Sequence, residues 1–299
     1  MDVAEGEDHE SSAFHQVPLD TTDNGVVENE DVDYFQIEAR KGERIVAEVE
    51  GLRLGQTFFD PALAILNPRR VALASADDVA AAFQDPVCGI VAPEDGPYVI
   101  LVRESSFGGA GNCRYRLHVG RFPRPLSAFP LGGRIGQSLE VRWLGDPAGP
   151  LSEAFKLPDA PLANFARSAH DSRGFTPWPL PLRVSRLDNF LEQEPNSTSA
   201  GANPLPGPVA LNGVLNQPGD VDCFKLAAKK GQVFDLRVYA RALRSPVDSV
   251  GPAEHPEPYD VQADSNCEQH DRHAQFGAQC RTLDRIFRRQ VEPEVTEHE

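Results

Sequence analysis

The chain has 299 residues, of which 45 are acidic and 29 are basic, so its formal net charge at pH 7 is −16. Hydrophobic residues make up 40% of the chain, which is enough to form a packed core. No run approaches the roughly 18 consecutive apolar residues of a membrane-spanning helix. Because the net charge also repels nucleic-acid phosphates and anionic lipid headgroups, nucleic-acid binding and membrane insertion are excluded.

The acidic residues are concentrated at the two ends of the chain. Residues 1–39 contain twelve Asp or Glu and no Lys or Arg, and residues 251–299 contain eleven acidic residues against five Arg. Clustered like charges repel one another and resist compaction. We therefore expect residues 1–16 to be an acidic, disordered segment and residues 251–299 to be a polar, disordered tail.

A repeat within the chain is the most informative feature of the sequence. Residues 31–49 align without gaps on residues 220–238, with eight of the nineteen positions identical. Upstream, the Asn-Gly-Val of residues 24–26 matches that of residues 212–214. The chain therefore contains two copies of one structural unit.

Each copy has the pattern of β-structure. In the first copy, residues 34–39 and 44–49 alternate around Lys41-Gly42, which predicts a hairpin with a tight turn at the glycine. Four more short apolar runs follow between turn-forming residues, at 62–66, 87–92, 98–103 and 114–119. The sequence thus predicts an all-β chain of tandem β-sandwich or jelly-roll modules with disordered N- and C-terminal segments.

The ordered motifs of the first copy resemble a known family. They include Asp31-Val-Asp-Tyr-Phe35, Phe59-Asp-Pro-Ala-Leu63, Ala92-Pro-Glu-Asp-Gly-Pro-Tyr98 and Tyr115-Arg-Leu-His-Val119. This set is similar to that of bacterial pre-peptidase C-terminal (PPC) domains. The resemblance implies that residues 17–121 form a PPC-like β-sandwich.

The second copy starts like a PPC domain but does not continue as one. Its opening is Glu192-Gln-Glu-Pro-Asn196, and the similarity ends near Asp248. We therefore expect residues 192–250 to be a truncated second unit, cut short by a truncated or frame-shifted coding sequence near residue 250. Between the copies, residues 126–188 contain alternating apolar residues that resemble an Ig-like module.

The family resemblance implies a function without catalysis. It implies accessory modules of a larger secreted bacterial protein, which space, stabilise or attach a neighbouring domain or bind extracellular protein or polysaccharide. The alternative is a fragment of a secreted peptidase whose catalytic domain lies outside this chain. A secreted or cell-envelope location follows from the resemblance alone, since Met1 is followed by acidic residues and not by a signal peptide.

Paired aspartates suggest a calcium site. Asp220 and Asp222 are two residues apart on a predicted strand, so both carboxylates face the same side. Glu192, Glu194 and Asn196 lie upstream and could fold back, as the similar acidic segment does in collagen-binding domains of collagenases. These five oxygen-bearing side chains suit Ca²⁺, whereas Asp31 and Asp33 of the first copy have no such upstream segment. The alternative is that the aspartates cap turns through backbone N–H groups.

Other chemistry has less support in the sequence. Cys267, His270, His273 and Cys280 could supply four zinc ligands, but their spacing is unusual and a chance cluster is the preferred interpretation. No serine-nucleophile elbow, metalloprotease motif or phosphate loop is present, and His118 is a single histidine on a predicted strand. The five cysteines are too few and too scattered for a disulfide scaffold, so the pairing of Cys88 and Cys113 is left open.

Overall fold

The computed structural model describes residues 14–79, 82, 84–217, 219–229, 232–245 and 247, and the backbone of three strands within 272–298. These residues belong to two compact units. The first unit contains the chain up to Leu126 together with Leu144–Leu151 and Ser168–Pro179. The second contains Ser127–Trp143, Ser152–Arg167 and the chain from Leu180 onward. The predicted disordered segment 1–16 lies outside the described residues except for its last three positions.

The first unit is a β-sandwich of two sheets. Its main strands are β1 (His15–Gln16), β2 (Thr21–Val26), β3 (Val32–Ala39), β4 (Arg44–Glu50), β5 (Pro61–Leu66), β6 (Ala72–Ala76), β7 (Val87–Val91), β8 (Gly96–Glu104) and β9 (Arg114–Gly120). One sheet has the order β1-β3-β8-β5-β6 and the other has the order β2-β9-β4-β7. All six strands predicted for this unit are therefore confirmed.

Alternating side chains form the core of this sandwich. On β9, Tyr115, Leu117 and Val119 are buried while the residues between them are more exposed, as the period-two pattern requires. The same periodicity on β3 buries Phe35 and Ile37. One continuous cluster of buried residues from both sheets results.

The predicted hairpin between β3 and β4 is wrong in its pairing. Gly42 has a φ of +84°, so the turn is in the expected conformation. However, β3 pairs with β1 and β8, whereas β4 pairs with β7 and β9. The turn connects the two sheets, because the apolar faces of both strands are buried by facing each other across the core.

The remaining strands are short, and most belong to the second unit. They are β10 (Ser127–Phe129), β11 (Gly132–Arg134), β12 (Ser138–Leu144), β13 (Leu151–Lys156), β14 (Ala166–Arg167), β15 (His170–Asp171), β16 (Gly174–Phe175), β17 (Leu180–Pro181), β18 (Arg183–Ser185), β19 (Asn189–Leu191), β20 (Asn203–Pro204), β21 (Ala210–Leu215), β22 (Val221–Ala228), β23 (Val233–Val238), β24 (Arg272–Gln279), β25 (Arg289–Val291) and β26 (Pro293–His298). The hairpin β15–β16 belongs to the first unit.

The boundaries of the two units differ from the predicted modules. Residues 126–188, expected as an Ig-like module, are divided between both units. The alternation of Leu139, Val141 and Trp143 does form a strand, β12, in a three-stranded sheet with β10 and β13. The other strands of this region are paired ribbons of two or three residues, too short to enclose a core of their own.

The strand pairing around β22 repeats that around β3. β3 has a parallel neighbour, β1, and an antiparallel neighbour, β8, while β22 has β20 and β24 in the same roles. Similarly, β9 lies between β2 and β4, and β26 lies between β21 and β23. No counterparts of β5, β6 and β7 are present among the described residues.

Three strands occupy part of the segment that the sequence predicts to be a disordered tail. β24 pairs with β22, β25 with β21, and β26 with β21 and β23. These three ranges are extended and paired in the structure, and the other residues of 251–299 lie outside the described residues. The edges of β22 and β23 that would otherwise be unpaired provide the partners for this pairing.

The all-β prediction is confirmed for the described residues. Helical structure among them consists of short 3₁₀ segments such as Leu52–Leu54 and Arg241–Leu243. None of the described helices has the length and apolar character needed to cross a membrane.

Candidate metal centre

A short acidic segment of the second unit connects two strands of different sheets. Between β19 and β20, the Glu192 N–H donates to the Asn212 carbonyl of β21 at 3.0 Å. Four residues later, the Asn196 carbonyl accepts a hydrogen bond from Cys223 N–H of β22, also at 3.0 Å. These two bonds hold residues 192–196 across both strands, so the predicted folding back of this segment onto β22 occurs.

Three carboxylates meet where this segment crosses β22. Oxygens of Glu192, Glu194 and Asp222 all lie within 4.8 Å of one another. Asp222 is buried, Glu192 is half-buried and Glu194 is exposed. Oxygens that share one calcium ion lie no more than about 5 Å apart, which is twice the Ca–O distance. The spacing of these three side chains therefore suits a single Ca²⁺.

Several polar atoms at this place have no hydrogen-bond partner. They are one carboxylate oxygen of Glu192, one of Asp222, and both side-chain amide atoms of Asn196, which is 0% exposed. Buried polar atoms are almost always paired, because an unpaired one costs about 1–3 kcal/mol. The three oxygens among these atoms lie beside the carboxylate cluster and suit a bound cation, because Ca²⁺ binds oxygen ligands.

The electrostatics of the cluster also favour the binding of a positive charge. Burial and the neighbouring Asp222 carboxylate raise the pKa of Glu192 to about 8. Burial and the charges of Asp220 and Glu194 raise the pKa of Asp222 to about 6. Within the part of the chain that the structure describes, no Lys or Arg forms an ion pair with these carboxylates. A divalent cation would relieve this repulsion.

Asp220 takes the alternative role that the sequence left open. Its carboxylate accepts hydrogen bonds from the N–H groups of Asn216 at 2.7 Å and Val221 at 3.0 Å, as a turn cap does. The Ser197 hydroxyl approaches the same carboxylate at 3.4 Å. Of the five predicted ligands, the structure therefore places Glu192, Glu194 and Asp222 in one cluster, Asn196 beside it, and Asp220 in the adjoining turn.

The equivalent aspartates of the first unit are satisfied within the protein. Asp31 accepts a hydrogen bond from Val32 N–H at 2.8 Å, which matches the turn-capping role of Asp220. Asp33, the counterpart of Asp222, accepts a hydrogen bond from the Tyr115 hydroxyl at 2.7 Å. Sequence reasoning did not identify Tyr115 as a partner of this aspartate, because the two residues are 82 positions apart.

A histidine that the sequence treated as isolated has two polar neighbours. In the first unit, Nδ1 of His118 lies 2.9 Å from the Thr22 hydroxyl, and Nε2 lies 3.5 Å from a Glu50 oxygen. The nearby His118 ring lowers the pKa of Glu50. The three residues lie on adjacent strands of one sheet, where cross-strand polar pairs stabilise the sheet.

The remaining sequence candidates have simple outcomes. Cys88, Cys113 and Cys223 are free thiols, and burial raises the pKa of Cys88 to about 12. Of the zinc candidates, Cys267, His270 and Cys280 lie outside the described residues, and His273 contributes only its backbone to β24.

Parts of this chain are similar to known protein structures. Similar solved structures include the pre-peptidase C-terminal domain of a collagenase from Bacillus anthracis, with 16% identity over 38% of this chain and 99% of that one, at a TM-score of 0.30. Another is PliG of Aeromonas hydrophila, a periplasmic inhibitor of g-type lysozyme, with 13% identity over 36% of this chain and 96% of that one, at a TM-score of 0.25. The comparison with curated proteins gives no match.

The family comparison concerns the first unit. Residues 31–104, from the start of β3 to the end of β8, match the model of the bacterial pre-peptidase C-terminal domain. Such domains occur in secreted peptidases, and the match fits the role of an accessory module. The predicted resemblance to bacterial pre-peptidase C-terminal domains is thereby confirmed for residues 31–104.

Proposed function

We propose that the chain is a non-catalytic accessory segment of a larger secreted bacterial protein, and that its second unit is stabilised by calcium. The observation that carries the calcium site is the cluster of Glu192, Glu194 and Asp222, with unpaired oxygens beside the fully buried and unpaired Asn196 amide. The family match of residues 31–104 supports the accessory role.

Calcium would act here as a cross-link. Glu192 and Glu194 belong to the segment between β19 and β20, whereas Asp222 belongs to the β22 strand of the same unit. An ion bound by all three would hold this segment on β22 and satisfy carboxylates that otherwise repel one another. Asn196 and Asp220 are the next candidates to supply oxygens to the same ion.

The two units would serve as spacing or attachment modules. The repeated strand pairing around β3 and β22 supports a tandem arrangement of PPC-like units. Their partners would be neighbouring domains of the parent protein, or an extracellular protein or polysaccharide, bound without a catalytic cofactor. A second proposal is that the parent is a secreted peptidase with its catalytic domain outside this chain, which the description of the matched family favours.

Titration calorimetry with CaCl₂ on the chelator-treated chain tests the calcium proposal. We expect one bound ion per chain and a melting temperature that rises with calcium concentration, because a ligand that binds only the folded state stabilises it. Asp222→Asn should abolish both effects, since it removes one charged ligand and keeps the side-chain volume.

Asp31→Asn is the matched control. Asp31 occupies the repeat position of Asp220 in the first unit and caps a turn there. This variant should bind calcium like the wild type. Absence of calcium binding by the wild-type chain would contradict the calcium proposal, and incubation with casein or gelatin should show no hydrolysis if the chain is an accessory segment.

A further inference from the structure

The two units differ at one glycine that they share. Gly25 on β2 and Gly213 on β21 occupy the same position of the repeat, in matching Asn-Gly-Val sequences. Each lies beside a side chain that contacts the second aspartate of its unit's Asp-x-Asp motif. What lies over the glycine, however, is chemically different in the two units.

In the first unit a tyrosine fills the space over the glycine. A Cβ atom added to Gly25 would overlap the ring and hydroxyl of Tyr115. The same hydroxyl donates to Asp33 at 2.7 Å. Tyr115 is 1% exposed, so the space is closed to solvent and the aspartate has a neutral donor as its partner.

In the second unit two carboxylates occupy the corresponding space. A Cβ atom added to Gly213 would lie 2.6 Å from Oε2 of Glu192 and 2.9 Å from Oδ2 of Asp222. Both distances are shorter than real Cβ contacts. The Glu192 oxygen is also one of the atoms without a hydrogen-bond partner. A methyl group at residue 213 would therefore displace at least one of the two carboxylates from its observed position.

We infer that this shared glycine position carries two alternative clamps: a tyrosine–aspartate hydrogen bond in the first unit and a calcium ion in the second. The inference rests on the proposed calcium site. Gly213 then acts as a positioning residue, because it leaves room for Glu192 and Asp222 to face one ion. In the first unit the Tyr115 hydroxyl is the partner of the aspartate, and in the second unit the cation is its partner. The chain therefore holds one calcium ion and not two.

The pair Gly213→Ala and Gly25→Ala tests this inference, because both variants add the same methyl group at the same repeat position. Calcium affinity is measured by titration calorimetry, and folding is measured by thermal unfolding with and without calcium. Gly213→Ala should weaken calcium binding about tenfold or more, since displaced ligands lower the affinity of a calcium site. Gly25→Ala should lower the calcium-free melting temperature through its overlap with Tyr115 and leave the calcium dissociation constant unchanged.

The outcomes distinguish the role of Gly213 from the existence of the calcium site itself. Equal calcium binding by Gly213→Ala and the wild type would overturn the role of Gly213, while the proposed site itself would stand. Binding of two calcium ions by the wild-type chain would contradict the inference that Tyr115 takes the place of an ion in the first unit. If Gly213→Ala does not fold, Glu192→Asp provides the second test, because it shortens the side chain that the glycine accommodates. This variant should bind calcium more weakly and keep the calcium-free fold. An unchanged calcium affinity would refute the inference.

Discussion

Replacing Glu192 by glutamine should change stability in opposite directions with and without calcium. Glutamine has the same shape and keeps an acceptor for the Val214 N–H, which donates to Glu192 in the wild type. It removes the charge of a group whose pKa burial and Asp222 raise to about 8. Without calcium, the folded wild type must either protonate this group or bear the repulsion, and the variant avoids both.

The sign of the pH effect follows from this pKa. Because the folded-state pKa of Glu192 lies above its ordinary value of 4.5, the folded protein binds more protons than the unfolded chain between these two values. The calcium-free wild type should therefore lose stability as pH rises through that window. Solvent screening of this half-buried carboxyl reduces the penalty to about 1–2 kcal/mol at pH 8. Glu192→Gln should flatten this part of the profile.

Calcium should reverse the order of the two proteins. With a dissociation constant of about 10⁻⁴ M, which is ordinary for extracellular modules, 10 mM calcium would add about 2.7 kcal/mol to the wild type. For a unit of about 150 residues this corresponds to a rise in melting temperature of about 5–10 °C. The variant should lose most of this increment because its site lacks one charged ligand.

Differential scanning calorimetry at pH 5, 6.5 and 8 measures the wild type and the variant, each with EDTA and with 10 mM CaCl₂. The expected result is a crossing, in which the variant melts higher than the wild type in EDTA and lower in calcium. Wild-type melting that is identical in EDTA and calcium would refute the reasoning. A variant that is less stable than the wild type in both buffers would also refute it, because the Glu192 charge would then not destabilise the calcium-free protein.

Three further changes test the first unit by denaturant unfolding. Tyr115→Phe removes the 2.7 Å bond to Asp33 and should cost about 1.5–3 kcal/mol with calcium binding unchanged; a loss of calcium binding would contradict the assignment. Arg124→Met should cost about 1–3 kcal/mol, because the fully buried Glu48 loses one of its two ion-pair partners and keeps Arg53, and a neutral effect would show that the pair is dispensable. Phe58→Ser should change stability by less than about 0.5 kcal/mol, since Phe58 is 82% exposed, and a larger loss would indicate a contact that the structure lacks.

Sequence reasoning located the strands of the first unit but not all of their pairing. Alternation reports which face of a strand is buried, and it therefore identified β3, β4 and β9. It does not report which sheet a strand joins. The turn at Gly42 has the conformation of a tight turn, yet it connects two sheets, because the two inward faces must oppose each other.

The candidate site was only partly predictable for a similar reason. The acidic residue types and their spacing pointed to Glu192, Glu194 and Asp222, which the structure brings together. The capping role of Asp220 depends on the path of the turn before β22, which residue types do not specify. The repeat aligns Gly213 with Gly25, so the sequence shows that the two glycines are equivalent. Their different surroundings depend on distances between strands, which the sequence does not give.

The different clamps follow from the different groups that meet the second aspartate of each motif. In the first unit, Tyr115 on β9 brings a hydroxyl to Asp33, so a neutral donor satisfies this aspartate without an ion. In the second unit, the groups near Asp222 are the carboxylates of Glu192 and Glu194. Carboxylates at this spacing repel one another, and a tyrosine hydroxyl could not offset two further charges. A cation that joins Glu192 and Glu194 to Asp222 would turn this repulsion into a cross-link that adds stability to the folded unit.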